Sequence, residues 1–280
     1  MKTSIHEWAS VDPGAEIGEG AQIGPFVVVG PKCRIGARTV LLPHCHVVAR
    51  TTIGADCVVS SSAVVGGDPQ DMKFHGEDTD LVIGDRTRIG EFATINRGTG
   101  VGGGCTSIGD DVLVMAYTHV AHDCVVGNGV VITNNCQLAG HIHIEDHAWV
   151  SGLCAVHHFV TIGSMSFVAP HSTLRADVPP YMLADGSEGP LRIRNVNLEG
   201  LRRRQFPDEH LAALQKAYRA LYRSDKPIAV AVKELAGTEL AKDPCVLNVM
   251  RHIEGSLAGY QNRALERYRT DKTRQIIRAE

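Results

Sequence analysis

An aliphatic side chain returns at every sixth position through most of the first 175 residues, and no other feature of the sequence limits the fold as tightly. The first run is Ile5, Val11, Ile17, Ile23, Val29, Ile35, Leu41, Val47, Ile53, Val59 and Val65. It resumes at Ile83, Ile89 and Ile95, slips by one residue, and continues unbroken from Ile108 through Val114, Val120, Val126 and onward to Leu174. Gly often follows the aliphatic residue, as at Gly18, Gly24, Gly30, Gly36, Gly54, Gly84, Gly109 and Gly127. A period of six is neither the 3.6 of a helix nor the alternation of a half-buried strand. It is the hexapeptide repeat of a parallel β-helix.

Each hexad makes one short strand and one corner, so three close a triangular coil of 18 residues. The aliphatic residue points inward and stacks on its equivalents one coil away, with coils roughly 4.8 Å apart. The stretch from Ile5 to Leu174 accommodates roughly nine coils, a prism on the order of 45 Å long. A single coil buries little, so stability comes from stacked neighbours. The fourth residue after each aliphatic one must also face the narrow interior. It reads Ala15, Ala21, Val27, Cys33, Thr39, Cys45, Thr51, Cys57 and Ala63, then Thr118, Cys124, Val130, Cys136, Ile142, Ala148 and Cys154. Nearly all are small.

That register accounts for six of the eight cysteines as packing residues, and no zinc-type Cys-x-x-Cys pair occurs. Stacked free thiols suit a reducing compartment. No secretion signal or run of about 18 apolar residues is present. A cytoplasmic protein without an integral membrane segment is therefore expected. The net charge of −3 argues against general nucleic-acid binding.

The repeat breaks in three places. GGDPQDMKFHGEDTD, residues 66–80, puts Asp71 and Glu77 where aliphatic residues are due; Val65 and Ile83 are still 18 apart, so a whole coil's worth of chain is expected to be distorted or looped outward. NRGTGVGGGCTS, residues 96–107, causes the slip; it lacks the Gly-Lys-Ser/Thr of a phosphate loop, so it reads as a plain loop. ADVPPYMLADG, residues 176–186, ends the prism, because its prolines cannot continue a central strand. The expected organisation is thus a β-helix over 1–187 and an α-helical domain over 188–280. In the latter, Leu211, Leu214, Tyr218, Leu221 and Tyr222 recur at helical spacing after Pro207-Asp208, and further helices are expected near 226–237 and 243–268.

Seven of the fourteen histidines lie between residues 119 and 158: His119, His122, His141, His143, His147, His157 and His158. Most read as solvated corner residues. His122 differs in its surroundings: Asp123 follows it, and Gly140 lies one coil on, beside His141. Asp123 suits a carboxylate that orients an imidazole base. A glycine at 140 lets substrate approach the backbone, whose N–H stabilises an oxyanion. Together these are parts for direct acyl transfer to a hydroxyl or amine, with no serine or cysteine nucleophile.

HVAHDCVVGN (119–128) and LAGHIHIEDHAWVSGLCAVHHF (138–159), with PQDMKF (69–74), INRGT (95–99), DVPPY (177–181) and NVNLEGLRRR (195–204), resemble the bacterial UDP-N-acetylglucosamine O-acyltransferases. These catalyse the first step of lipid A synthesis. The related N-acyltransferases carry an additional N-terminal domain, whereas the hexads here begin at residue 5. The resemblance implies a left-handed β-helix and a homotrimer with active sites in clefts between subunits. The implied donor is a 3-hydroxyacyl chain on the phosphopantetheine of acyl carrier protein, and the acceptor is the 3-hydroxyl of UDP-N-acetylglucosamine or a 3-amino analogue. No metal or other cofactor is implied. His122 becomes the general base, Asp123 its partner and Gly140 the oxyanion donor, with His119, His141, His157 and His158 lining the cleft. Asp71 and Lys73 hold the glucosamine, and Asn197, Glu199, Arg203 and Arg204 hold the nucleotide and pantetheine portions. Arginine suits phosphate through its paired, charge-assisted hydrogen bonds. Lys216, Arg219 and Arg223 offer a basic surface to the acidic carrier protein. The chain departs from the family at Asn96, where histidine is usual, at His158, where glutamine is frequent, and at Pro170, near a position associated with chain length.

Two other readings fit parts of the sequence. A zinc enzyme of the γ-carbonic anhydrase type uses the same prism and histidine ligands. A non-catalytic scaffold or paralogue would tolerate the substitutions at Asn96 and His158.

Overall fold

The computed structural model describes residues 2–260 and Leu265. Short parallel strands, most of two residues, stack into three sheets that form the faces of a triangular prism. Face one begins Ser4–Ile5, Gln22–Ile23, Val40–Leu41; face two begins Ser10–Val11, Val28–Val29, His46–Val47; face three begins Glu16–Ile17, Arg34–Ile35, Thr51–Ile53. Nine strands stack on face two, in keeping with nine coils. The prism is a left-handed parallel β-helix. The aliphatic residue of each hexad is buried from Ile23 onward, and the small positions Ala21, Val27, Cys33, Thr39 and Cys45 are 0% exposed. In the first coil Ile5 is 51% exposed, and Val11 and Ile17 are half-buried.

Corner chemistry makes this winding possible. Most corners carry one residue in the left-handed backbone region, three positions after the aliphatic residue, and most of these are not glycine: Phe26, Lys32, Arg38, His44, Arg50, Asp56, Ser62, and later Tyr117, Asp123 and His141. Each such residue costs about 1 kcal/mol, which the stacked ladder offsets. The glycine that follows the aliphatic residue answers a different need, close approach between coils. A Cβ at Gly30 would overlap the carbonyl oxygen of Val48 in the next coil.

Strand register shows how much chain leaves the prism at each break. Ile53 pairs with Ile83, thirty positions on instead of eighteen, so twelve residues are extra. Ile83 pairs with Ile108, twenty-five positions on, so seven are extra. The first break is therefore smaller than a whole coil: the strands Val64–Gly67 and Asp80–Ile83 keep their places and only the chain between them bulges out. Both excursions leave the edge between faces two and three, in successive coils.

The prolines at 179 and 180 end the regular coils, yet Met182–Asp185 still pairs in parallel with Phe167–Val168. Arg192–Val196 then folds back antiparallel on it. The helices α1 (Leu198–Arg203), α2 (Asp208–Tyr222), α3 (Ile228–Ala236) and α4 (Pro244–Ala258) follow. Leu211, Leu214, Tyr218 and Leu221 form the buried stripe of α2, packed with Val232, Leu235, Val246 and Val249. Met182, Val196 and Leu201 belong to the same cluster, with Met165 and Tyr181 against it, so the helices close the C-terminal end of the prism. Asp243 caps α4 by accepting from the amides of Cys245 and Val246, with Pro244 in the first turn and left-handed Gly259 ending it. Of the helix expected to reach 268, residues 261–264 and 266–268 lie outside the described residues. No helix among the described residues is long and apolar enough to cross a membrane.

Candidate active site

The edge between faces two and three gathers five corners in order: the 68–79 loop, the 97–104 loop, and the corners holding His122–Asp123, Gly140–His141 and His158–Phe159. Eighteen-residue stacking fixes the last three. The backbone N–H of His141 donates to the carbonyl of His122 at 3.0 Å.

Within this edge His122 Nδ1 lies 2.7 Å from Asp123 Oδ2. Asp123 occupies the left-handed corner position, with φ of 59°, which turns its side chain back under the 97–104 loop. The carboxylate is almost sealed, at 1% side-chain exposure, whereas the imidazole is 12% exposed. Thr99 donates to it twice, from its amide to Oδ1 at 2.9 Å and from its hydroxyl to Oδ2 at 2.7 Å. The Asp123 amide donates to Thr106 Oγ1 at 2.7 Å. Burial pushes the carboxyl toward protonation, but the bonds from His122 and Thr99 outweigh it and hold the group below the usual carboxylate range. Asp123 is thus a fixed anion.

The other side of the imidazole faces an open groove of about 490 Å³ on face two, lined by Gln70, His119, His122, Gly140, His157 and Arg175 among others. Asp71 Oδ2 approaches His122 Nε2 at 3.9 Å and Lys73 Nζ at 3.5 Å. Asp71 lies below its ordinary value: burial opposes the charge, and the amide and ammonium of Lys73 outweigh it. His119 Nδ1 bonds Thr94 Oγ1 at 2.7 Å, and burial followed by the neighbouring His122 pushes its pKa down. Corner amides two after the aliphatic residue have no strand partner. Along the opposite edge side chains satisfy them, as Asp85 Oδ1 does for Ala55 and Asp146 Oδ1 for Asn128. Gly140 occupies the equivalent position beside His122, and among the described residues its N–H donates to no protein acceptor.

Six of the residues singled out from sequence thus meet around one groove: His119, His122, Asp123, Gly140, Asp71 and His157. Lys73 joins through Asp71. His141 crosses His122 edge to face, its Nε2 3.8 Å from Asp123 Oδ2, and stacks on Phe159. His158 lies behind, its ring centroid 3.8 Å from that of His157. Asn197, Glu199, Arg203 and Arg204 stand apart. Asn197 caps α1, accepting from Gly200 N and donating to Met165 O at 2.9 Å. Glu199 and Arg203 pair in solvent at 3.0 Å, and Arg204 is exposed. Sequence reasoning missed Thr99, Thr106, Gly102 and Gln70. Thr106 was readable, standing 18 positions before Cys124. The others sit in excursions where the hexad gives no register.

The ligand atoms of His122, Asp123 and His141 lie within 4.8 Å of one another, so this trio also has the spacing of a three-ligand metal site. The donor set is two nitrogens and one oxygen, and Asp123 already serves Thr99 and His122.

Comparison with known proteins decides the family. Residues 177–260 match the family model Udp N-acetylglucosamine O-acyltransferase, Domain 2, and residues 105–140 match Bacterial transferase hexapeptide (six repeats). The acyl-[acyl-carrier-protein]–UDP-N-acetylglucosamine O-acyltransferase of Burkholderia lata is 48% identical over 260 residues, 92% of this chain and 98% of that one. The chain belongs to this family. The enzyme of the same name from Verminephrobacter eiseniae is 50% identical over 168 residues, a match spanning 60% of this chain and 63% of that relative's length. The crystal structure of UDP-N-acetylglucosamine O-acyltransferase from Moraxella catarrhalis superimposes with a TM-score of 0.85 at 38% identity, covering 90% of this chain and 97% of that one.

Proposed function

We propose that this chain transfers a 3-hydroxyacyl group from acyl carrier protein to the glucosamine 3-position of UDP-N-acetylglucosamine, or of its 3-amino analogue, in the first step of lipid A biosynthesis. The observation that carries this reading is one geometry: His122, held at Nδ1 by a buried anion, faces a groove that Gly140 also lines, and among the described residues the Gly140 N–H donates to no protein acceptor. In the proposed step His122 Nε2 takes the proton of the acceptor hydroxyl as its oxygen attacks the thioester carbonyl. Gly140 N–H receives the developing oxyanion, and the imidazolium is stabilised by Asp123. Collapse expels the pantetheine sulfur, which takes the proton from His122, so no residue of the enzyme is acylated. Asp71 and Lys73, on the loop above, suit the sugar.

A homotrimer is part of the proposal. Within one chain Asn197, Glu199, Arg203 and Arg204 make no contact with the His122 groove among the described residues, and the groove is open along its length. A neighbouring copy would both wall the groove and bring a second set of binding groups to it. Acyl carrier protein is the proposed donor partner, with Lys216, Arg219 and Arg223 as its basic contact. A cytoplasmic location and independence from cofactor, metal and nucleic acid belong to the same reading.

Incubation with UDP-N-acetylglucosamine and 3-hydroxyacyl carrier-protein thioesters of varied length, followed by mass spectrometry, tests it. The expected product is the monoacyl sugar nucleotide. No product with any thioester, on either the hydroxyl or the amino acceptor, overturns the reading. A second reading, a zinc enzyme of the γ-carbonic anhydrase type, draws on the His122–Asp123–His141 trio alone. Stoichiometric zinc lost together with carbon dioxide hydration would favour it.

A further inference from the structure

We propose that Thr99, in the glycine-rich loop, is a positioning residue that sets the tautomer of His122 by acting through Asp123. One group beside Thr99 has a polarity that cannot change. A backbone N–H only donates, and Gly102 N–H is directed at Thr99 Oγ1 at 3.1 Å, shared with the Thr99 carbonyl at the same distance. With an amide on one side of the hydroxyl, its proton turns to the other, where Asp123 Oδ2 lies at 2.7 Å. That carboxylate is an acceptor only, so the imidazole atom meeting the same oxygen at 2.7 Å must also donate. Nδ1 therefore carries the hydrogen, and the lone pair of Nε2 is left facing the groove. The order runs from Gly102 N–H through the Thr99 hydroxyl and Asp123 to His122.

The loop is built to hold this order. Gly104 N–H donates to the Thr99 carbonyl at 2.9 Å, closing the loop on itself. A Cβ at Gly102 would collide with the Asp123 carboxyl group, so only glycine brings its amide this near. Thr99 is 4% exposed and Asp123 6%, which keeps water from competing for either oxygen. Arg97, two residues earlier, anchors the loop by pairing with Asp68 at 2.6 Å and lying over the Phe74 ring.

The kinetic consequence rests on His122 being the base of the proposed reaction, whereas the tautomer itself does not. The charged or titratable groups around the pair are Asp71 and Lys73 from the first loop, His119 from the preceding strand, His141 from the next coil and the Cys105 thiol at the end of the second loop. All stay in place when only residue 99 is changed. Without the hydroxyl, Asp123 holds a proton, or the imidazolium beside it, more tightly. The acidic limb of activity then moves to higher pH.

The test uses the full-length protein labelled with ¹⁵N-histidine, the His122 resonances being assigned by their loss in His122→Ala. Wild type and Thr99→Ser are expected to show neutral His122 with the proton on Nδ1, and Thr99→Val a mixture of both tautomers. In the acyl-transfer assay Thr99→Val is expected to lose kcat by about tenfold with KM for the sugar nucleotide within about twofold. Its acidic limb should rise by about half a unit, with Thr99→Ser restoring both. If Thr99→Val does not fold, Thr99→Ala is read in the same way. An unchanged tautomer in the Val or Ala variant overturns the proposal, as does a loss of rate equal at every pH. Full turnover by His122→Ala would instead overturn the general-base reading and leave the tautomer result standing.

Discussion

A Cβ placed on Gly140 would stand 2.5 Å from Cε1 and 2.8 Å from Nε2 of His122. The ring cannot swing clear without leaving Asp123, because its Nδ1 is tied there at 2.7 Å. Glycine at 140 is therefore a condition for the position of His122 as well as a donor. Gly140→Ala is expected to lower kcat by about a hundredfold, a displaced base being enough for that, while the melting temperature moves little. Turnover near wild type would show that the imidazole adapts freely.

His122→Ala removes the proposed base from the mouth of the groove, where the side chain is 12% exposed and outside the stacked core. Acyl transfer is expected to fall by about a thousandfold or more, within the range of a lost general base and its positioning, with the solution mass by light scattering the same as for the wild type. Retention of a tenth of the activity would contradict the assignment.

Gly30 tests the prism itself. Alanine there would drive a methyl into the Val48 carbonyl of the next coil, and the nearest atoms, those of Val47 and Val48, are all backbone, so no flexible side chain can yield. The expected loss is about 3 kcal/mol, the upper end for overpacking because the neighbours are backbone, read as a lower urea midpoint at fixed protein concentration. A midpoint equal to wild type would mean that coils separate more easily than their register suggests.

His252, on α4, is 6% exposed, and burial first, then proximity to His143, pushes its pKa down to about 4. Because the folded state takes up this proton only below about 4 while the unfolded chain takes it up below about 6.5, the folded state binds fewer protons between those values. Stability should therefore fall as pH drops through that window, by about 3 kcal/mol from this group, and be fully present above it. Urea midpoints at pH 7.5 and 5 should differ less in His252→Gln than in wild type. An equal difference in both would remove His252 as the cause.

The prism was legible because its code is short-range and repeated: burial of Ile23, Val29 or Leu138 follows from spacing alone, as do the buried thiols of Cys33, Cys57 and Cys136. The meeting of His122 with Gly140 was legible for the same reason, since both lie on the regular ladder. Handedness was not, because the spacing of inward residues is identical in either hand. The size of the first excursion also escaped, as Val65 and Ile83 are spaced like one coil although the strands skip only a corner. Thr99 and Gly102 were hidden for a third reason: once chain leaves the ladder, its contacts depend on loop folding. Arg97 over Phe74 and Asp68 is a meeting of two loops that neither sequence segment announces by itself.

Because both excursions spring from one edge and the strands on either side rejoin in register, the prism separates two duties that most enzymes entangle. The wall that carries His122 and Gly140 stays on the regular ladder, while the loops that grow out of the coils beside it hold Asp123 and reach His122. Changes within residues 68–79 that spare Asp68, Asp71 and Phe74 would reshape the rim of the groove while the coils beneath keep their register.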